Sequence, residues 1–155
     1  MPRNRNNKNP FDRADGREKS TPYALLSDTQ AKSKIYRSLK ADAKHVYMIC
    51  KLCRKYHTGR DRDGKSKAIQ GNLLYFYFNR AVQQEYGLNN PNKVRKCLIE
   101  LVEKGFIDVI ECNGTTRKRN IYAYSDKWYD LEKGRDIKLS QAAQTFIQGR
   151  TIKIQ

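Results

Sequence analysis

The stretch from residue 88 to residue 128 constrains the fold more than any other part of the chain. It reads LNNPNKVRKCLIELVEKGFIDVIECNGTTRKRNIYAYSDKW. Asn90 and Pro91 open a run in which apolar residues recur at three- and four-residue spacing, and Gly105 closes it. Asn is favoured as an N-cap, Pro at the first helical position and Gly just beyond the last one. The pattern predicts a helix over 91–104. Its predicted buried stripe consists of Val94, Cys97, Leu98, Leu101 and Val102.

Two β-like runs come directly after that helix. They are FIDVIEC and IYAYSDKW, and the tip between them, residues 113–120, contains three basic residues. Apolar runs on both sides of a Gly-containing tip are typical of a β-hairpin. The sequence therefore predicts a helix that leads straight into a basic hairpin.

The chain before residue 88 supplies further helices and the first strand of a sheet. The predicted elements are a helix from Ser27 to Leu39, a helix over 41–56 with Val46, Ile49, Cys50 and Cys53 on one apolar face, an exposed loop over 57–72, a strand over 73–78, and a short helix from Asn79 to Tyr86 that Gly87 ends.

The order of these elements predicts a winged helix-turn-helix, an α+β fold in which helices pack on a small antiparallel sheet with a basic β-wing. Helix 91–104 is the second helix of the helix-turn-helix, and residues 113–120 are the wing. A major groove about 12 Å wide admits one α-helix, and a basic β-tip can reach the flanking backbone or the minor groove. The winged-helix domain is predicted over 22–131. A flexible basic arm over 1–21 precedes it, and a polar tail over 132–155 with room for one short helix follows it.

The charge of the chain indicates a polyanionic partner. Lys and Arg outnumber Asp and Glu by 32 to 16, which gives a net charge of +16 and a pI near 9.8. A membrane-surface helix needs a basic face beside an apolar face. The candidate near the C-terminus, LSQAAQTFI over 139–147, contains no Lys or Arg. No run approaches the ~20 apolar residues of a membrane span. Nucleic acid is therefore the expected partner, and no membrane is expected.

Helix 91–104 offers side chains suited to DNA. At 100° per residue, Asn92 and Lys96 point away from the buried stripe, and Lys93 and Arg95 flank them. Asn and Lys can read adenine and guanine edges, whereas the flanking cations suit phosphates. Ile99 also lies on the outward side, where the arm or a second subunit could cover it. An ordinary solvated helix face carries the same residue types, and that interpretation stays open for the helix and for the wing.

Residues 59–66, GRDRDGKS, match the phosphate-loop pattern G-x-x-x-x-G-K-[ST]. That pattern holds phosphates where a strand enters the loop and a helix leaves it. Here a predicted helix precedes the loop and a predicted strand follows it, and Asp61 and Asp63 would repel phosphates. We expect a solvated loop without nucleotide hydrolysis.

No residue pattern indicates catalysis or a metal. The CKLC run has the spacing of half a zinc site, but both cysteines lie on a predicted buried face and no second pair follows. Asp108, Glu111 and Asp126 have no nucleophile or metal ligand arranged beside them as a motif. We therefore expect neither an enzyme nor a cofactor. The N-terminal residues contain no apolar stretch that would direct secretion, so the four cysteines are expected to be reduced in a cytosol.

Three pieces of the sequence, LKADAKHVY, ELVEKGFIDV and YSDKW, resemble in their order winged-helix proteins carried by bacterial phages, plasmids and integrative elements. A looser resemblance is to the N-terminal winged-helix domains of plasmid replication initiators. It covers residues 22–131 and implies DNA binding in replication initiation or transcription regulation, in the bacterial cytosol at the nucleoid. The run NNPN departs from the family, where Ser- or Thr-type residues usually open the helix, so no base preference carries over. The DNA-binding positions that the resemblance implies are Asn89, Asn90, Asn92, Lys93, Lys96, Arg117, Lys118 and Arg119.

A rival function from another class stays open. A small basic phage-type protein could use the same scaffold to bind and inhibit a host protein or a nucleoprotein complex, with only non-specific DNA affinity. RNA binding would need an exposed aromatic platform, which residues 75–78 could supply only if their strand faced solvent. A homodimer on repeated half-sites and a replication protein are further partners compatible with the fold. Double-stranded DNA is the partner that we expect.

Overall fold

A computed structural model describes residues 24–53, 75–113 and 119–149 of the chain. These residues form an α+β structure in which helices pack on one small antiparallel sheet of three strands. The arm predicted over 1–21 and the loop predicted over 57–72 lie outside the described residues. The helices of the described part are α1 (Asp28–Lys32), α2 (Lys34–Arg37), α3 (Ala41–Leu52), α4 (Arg80–Glu85), α5 (Pro91–Glu103), α6 (Lys127–Glu132) and α7 (Gln141–Gln148), and its strands are β1 (Tyr75–Phe76), β2 (Ile107–Glu111) and β3 (Ile121–Tyr124).

The first predicted helix, from Ser27 to Leu39, is in fact two helices. Ser27 caps α1 as expected, because its Oγ accepts a hydrogen bond from the backbone N–H of Gln30 at 3.1 Å. Ser33 is extended, with φ −62° and ψ 145°, and ends α1. Its Oγ donates to the carbonyl of Gln30 at 2.6 Å and accepts from the backbone N–H of Tyr36 at 3.1 Å. The prediction of one helix is wrong because this serine closes one helix and caps the next.

Helices α3 and α5 pack on each other and share the core with the sheet. Val46, Ile49 and Cys50 of α3 are buried as its apolar stripe predicted. Cys53, half-buried, is the C-cap, and residues 54–56 of the predicted helix lie outside the described part. All five residues predicted for the stripe of α5 are buried, so that prediction is confirmed.

Phe106 lies at the centre of an aromatic cluster in this core. Its ring centroid is 5.9 Å from that of Tyr36, 5.4 Å from that of Tyr47 and 6.1 Å from that of Trp128. Burial raises the pKa of Tyr47 to about 12, and the Tyr47 hydroxyl accepts a hydrogen bond from Gln30 Nε2 at 3.0 Å. The cluster joins α2, α3 and α6 to the residues that follow α5.

The predicted hairpin is confirmed in the described residues. β2 and β3 pair antiparallel, with Ile107 opposite Tyr124 and Val109 opposite Tyr122, and the register shifts before Glu111. β3 is the central strand of the sheet, because β1 pairs along its other edge.

β1 is shorter than the strand predicted over 73–78. Tyr75 and Phe76 pair with β3, whereas residues 73 and 74 lie outside the described part. Tyr75, Phe76 and Phe78 are all buried. These rings line the core, so this segment presents no open platform of the kind that stacks RNA bases.

The end of α5 and the turn after β3 interlock at Gly105. Gly105 has φ +78°, and its carbonyl accepts a hydrogen bond from the backbone N–H of Trp128 at 3.0 Å. The N–H of Ser125 donates to the carbonyl of Phe106 at 3.1 Å. The β-run predicted through Trp128 therefore stops at Tyr124. That part of the prediction is wrong because the chain turns here to meet the end of α5, and Trp128 belongs to α6.

Helix α7 is the short helix for which the sequence left room in the polar tail beyond residue 131, but it packs into the core. Ala143 and Phe146 are buried, and the Phe146 ring meets the Tyr122 ring edge-on at 5.8 Å. Ser140 caps α7, accepting from the backbone N–H of Ala143 at 3.1 Å and donating to the Asp108 carboxylate at 3.0 Å. The folded unit therefore extends through α7, because the hairpin contacts it both through the Tyr122 ring and through the Asp108 carboxylate.

Replacing Gly105 with Ala should lower the free energy of unfolding by about 2–5 kcal/mol. A Cβ there would lie 2.5 Å from the backbone nitrogen of Trp128, in addition to the strain of a positive φ. Gly134→Ala is the matched control, because Gly134 has φ +77° with nothing within 4 Å of a Cβ. Urea unfolding of both variants measures the difference. Equal losses would show that the overlap with α6 costs nothing.

A carboxylate of α6 makes a pH-dependent link to α2. Glu132 accepts hydrogen bonds from the backbone N–H groups of Lys34 at 3.1 Å and Ile35 at 3.0 Å. These bonds favour the charged form and lower the pKa of Glu132 below its ordinary value of 4.5. Because the folded-state pKa is depressed, the stabilisation is present above about pH 4.5 and is lost as the pH falls through the folded-state pKa.

Glu132→Gln should therefore lower the unfolding free energy at pH 7 and make it decline less between pH 5 and pH 3 than in the wild type. Urea unfolding over that pH range measures both quantities. Parallel curves for the two proteins would rule out a linkage through Glu132.

Candidate nucleic-acid interface

A short turn joins helices α4 and α5. Each of the two helices has the N-cap that the sequence predicts. The Asn79 side chain accepts a hydrogen bond from the backbone N–H of Val82, and the Asn90 side chain accepts one from that of Lys93, both at 3.2 Å. Pro91 stands at the start of α5. These caps fix where α5 begins and therefore which of its side chains face outward.

One flank of α5 is held against the turn between α2 and α3. Glu100 Oε1 accepts from the backbone N–H of Lys40 and from Lys104 Nζ, both at 3.2 Å. Lys104 Nζ also donates to the carbonyl of Ser38 at 3.1 Å and to its Oγ at 3.0 Å. The Lys104 and Glu100 side chains are only 30% and 18% exposed, so this network is less screened by water than a surface ion pair.

Arg95 holds the opposite flank of α5 against α7. Its Nη2 donates to the carbonyl of Phe146 at 2.5 Å, and its guanidinium lies 4.6 Å from the centre of the Phe146 ring. The negative end of the α7 dipole and the face of the aromatic ring both attract this cation. The sequence suggested only a phosphate contact for Arg95, and the structure gives it a role in holding α7 on α5.

The outward face of α5 lies between these two flanks. Asn92, Lys96 and Glu103 are exposed, and within the described part of the chain none of their side chains makes a hydrogen bond or an ion pair. Ile99 is half-buried and packs against the core cluster, so it is partly covered without an arm or a second subunit. The face therefore presents polar groups whose donors and acceptors are open to a partner.

The other predicted residues of this region differ in how far they are engaged. Lys93 pairs with Asp42 of α3 at 3.1 Å, but both side chains are about 60% exposed, so the pair is weak and Lys93 can turn to another anion. The side-chain oxygen of Asn90 is occupied as a cap, and Asn89 is exposed in the turn.

The base of the hairpin is closed by side-chain amides. The backbone N–H of Asn113 donates to Asn120 Oδ1 at 2.7 Å, and Asn113 Nδ2 donates to the carbonyl of Arg119 at 2.9 Å. The Arg119 guanidinium lies 5.5 Å from the centre of the Tyr77 ring. These contacts hold together the described residues on the two sides of the tip.

A cleft separates α4 from the base of the hairpin, and three arginines line it. They are Arg80, Arg95 and Arg119, which come from α4, α5 and the hairpin. Arg80 was not among the DNA-binding residues predicted from the sequence, which were confined to the turn, helix 91–104 and the wing. The available signal was its position directly after the Asn79 cap, at the start of the helix that precedes α5.

Most of the net positive charge belongs to segments outside the described residues. The described residues contain 16 Lys and Arg against 11 Asp and Glu, whereas the remainder contains 16 against 5. Arg117 and Lys118, two of the predicted wing contacts, lie in that remainder, as does the phosphate-loop match at 59–66. The described part is therefore only modestly basic. Its ability to contact an anion at a definite point depends on where its cations are placed and not on its total charge.

Asp108 and Glu111, two of the three acidic residues considered for catalysis, are engaged in holding the fold. Asp108 accepts from Lys127 Nζ at 3.2 Å and from the backbone N–H of Val109 at 2.8 Å, besides its bond to Ser140. Glu111 accepts from Asn113 Nδ2 at 3.4 Å. The Ser140 hydroxyl beside Asp108 is itself engaged as the N-cap of α7.

The four cysteines are free thiols, and Cys50 and Cys97 are buried. Burial raises the pKa of Cys50 well above its ordinary value and also raises that of Cys97, so both are neutral thiols at physiological pH. In residues 24–53, 75–113 and 119–149, no group of three or more His, Cys, Asp or Glu is arranged to hold a metal ion.

No protein-family model, curated protein or solved structure matches this chain. None of the described helices is long and apolar enough to cross a bilayer.

Arg95→Met should lower the unfolding free energy by about 1–3 kcal/mol, because the Phe146 carbonyl loses its charged donor and the ring loses its cation. Met keeps most of the length of the side chain. Lys96→Met, one residue further along α5 but on the outward face, is the matched control and should change stability by less than about 0.5 kcal/mol. Urea unfolding compares the two variants. Equal effects would contradict an anchoring role for Arg95.

Proposed function

We propose that this chain is a winged-helix protein of a phage or another mobile genetic element. It binds double-stranded DNA and acts in replication initiation or transcription regulation, with α5 in the major groove and the wing, residues 113–120, on the backbone or minor groove. The observation that carries the proposal is the outward face of α5. It is anchored on both flanks, and its Asn92 and Lys96 have no partner within the described residues.

The order of the elements supports the winged-helix assignment. A helix, a strand, two helices joined by a tight turn, and an antiparallel hairpin follow one another as α3, β1, α4, α5, β2 and β3. The sheet order β1–β3–β2 places the hairpin beside the strand that precedes the two helices. In helix-turn-helix proteins the second helix is the one that reads bases, which corresponds to α5.

The dimensions and the rigidity of α5 also suit a groove. An α-helix with its side chains is about 10–12 Å across, and the major groove is about 12 Å wide. Because both flanks of α5 are tied to the rest of the fold, binding requires little ordering of this helix, and less binding energy is lost to conformational entropy.

The charges along the outward face favour insertion of its N-terminal half. Asn92 and Lys96 lie in that half, whereas Glu103 lies at the C-terminal end, where its carboxylate would repel phosphates. Asn pairs with adenine through two hydrogen bonds, and Lys donates to the acceptors of guanine. Lys93 can exchange Asp42 for a phosphate, and the wing can supply further phosphate contacts.

Selection of bound fragments from random duplex DNA at about 0.15 M salt, followed by competition with unrelated duplex, tests the proposal. A sequence-reading protein should enrich a defined motif bound at least ~10³-fold more tightly than bulk DNA. A repeated half-site at a spacing of about one helical turn would in addition indicate a dimer. Absence of a motif would contradict the proposal. It would favour the rival function, an effector that binds a host protein or nucleoprotein complex and touches DNA only non-specifically.

Lys96→Ala should weaken binding to the selected motif by about 1–3 kcal/mol and relax the preference at one position, because a base contact is lost. Lys32→Ala is the control, because this substitution removes the same charge from an exposed position on α1, away from α5. Fluorescence anisotropy with the motif and with single-base variants measures both effects. Equal weakening on every duplex would reassign Lys96 to a phosphate contact.

A further inference from the structure

Arg80, Arg95 and Arg119 line the cleft between α4 and the base of the hairpin, and no acidic side chain of the described residues lines it. A depression lined by Lys133 and Arg135 also lacks an acidic side chain, but there Arg135 pairs with Asp130 at 2.8 Å. The groove over α5, by contrast, combines Lys40, Lys93 and Lys96 with Asp42, Glu100 and Glu103. The cleft therefore concentrates positive charge without an internal counter-charge.

The three guanidiniums come from three separate elements that the fold holds together. Arg119 lies over the Tyr77 ring, with its backbone carbonyl bonded to Asn113. Arg95 is held by Phe146 and uses one N–H of its Nη2 in a hydrogen bond to the Phe146 carbonyl. A guanidinium carries five N–H donors, so Arg95 keeps donors for a second acceptor.

The amide side chains that line the cleft each make a hydrogen bond within the fold. Asn79 caps α4, Gln83 Nε2 donates to the carbonyl of Phe78 at 2.8 Å, and Asn120 accepts from the backbone of Asn113. Arg80, by contrast, is exposed and makes no hydrogen bond or ion pair within the described residues. The charged groups that line the cleft are therefore all cations, and the ligand they suit is an anion.

We infer that this cleft binds a phosphate of the DNA backbone, on the strand that borders the groove entered by α5. The inference rests on the proposed function and adds Arg80, together with Arg119, as the pair that grips one phosphate from two walls. Phosphate oxygens accept several charge-assisted hydrogen bonds at once, and guanidinium groups match them in geometry. Bringing an anion between the arginines also relieves their mutual repulsion.

Arg80→Ala, Arg119→Ala and the double variant test this inference, and Arg37→Ala serves as the control because Arg37 is exposed on α2. Thermal unfolding first verifies that each variant is folded. The double variant should bind every duplex about tenfold or more weakly, with the selected motif unchanged. The slope of log K against log salt should fall by about 1 for the phosphate contact. The control should leave the affinity and the slope as in the wild type.

Three outcomes separate this inference from the proposed function. Specific binding by the double variant with an unchanged affinity and slope would overturn the cleft and leave the function standing. A changed motif would also overturn it, because the arginines would then read bases. If the wild type selects no motif, the proposed function is contradicted. The cleft is then tested by adding pyrophosphate alone to the wild-type protein. Shifts of the Arg80 and Arg119 Nε–H signals in NMR spectra of the wild type would support the cleft as a site for free phosphate groups. Absence of such shifts would overturn it.

Discussion

The placement of α5 depends on polar anchors on both sides of its buried stripe. On one side Glu100 and Lys104 bond to the backbone and side chain of the turn before α3, and on the other Arg95 bonds to the end of α7. Apolar packing alone allows a helix to slide or rotate by small amounts, because it has no direction. Hydrogen bonds at two flanks remove that freedom. The same anchors leave the outward face of α5 uncovered. The contacts of its two flanks therefore determine which face can meet a partner.

The charge of the molecule divides into two kinds. The described residues carry a small excess of cations that are placed at definite points, on α5 and around the arginine cleft, whereas the remainder of the chain carries most of the +16. Bulk charge raises affinity for any polyanion and is weakened by salt. Placed groups such as Lys96 can distinguish one base from another. In the proposed function the first kind brings the protein to DNA and the second selects a site.

Local signals in the sequence were sufficient where a single residue type decides the structure. The Asn90 cap, the end of α5 at Gly105 and its buried stripe were all predicted, because capping and periodicity act within a few residues. Contacts between distant residues were not predicted. Ser33 divides a helix by bonding in both directions, and Phe146 meets Arg95 across 51 positions of the chain. No local pattern encodes such pairings, so the packing of α7 on the core was not predicted, although room for a short helix was. Arg80 was missed because its role depends on its neighbours across the cleft.

The most direct test of the central claim is to map the contact surface residue by residue. Titrating the isotope-labelled protein with a duplex of the selected sequence and following its NMR signals would locate the surface that DNA touches. The account predicts the largest shifts in the side chains of Asn92 and Lys96, with smaller ones in Arg80 and Arg119. Shifts centred on α1, α2 and α6, with α5 unaffected, would contradict it, because DNA would then bind a face that α5 does not share.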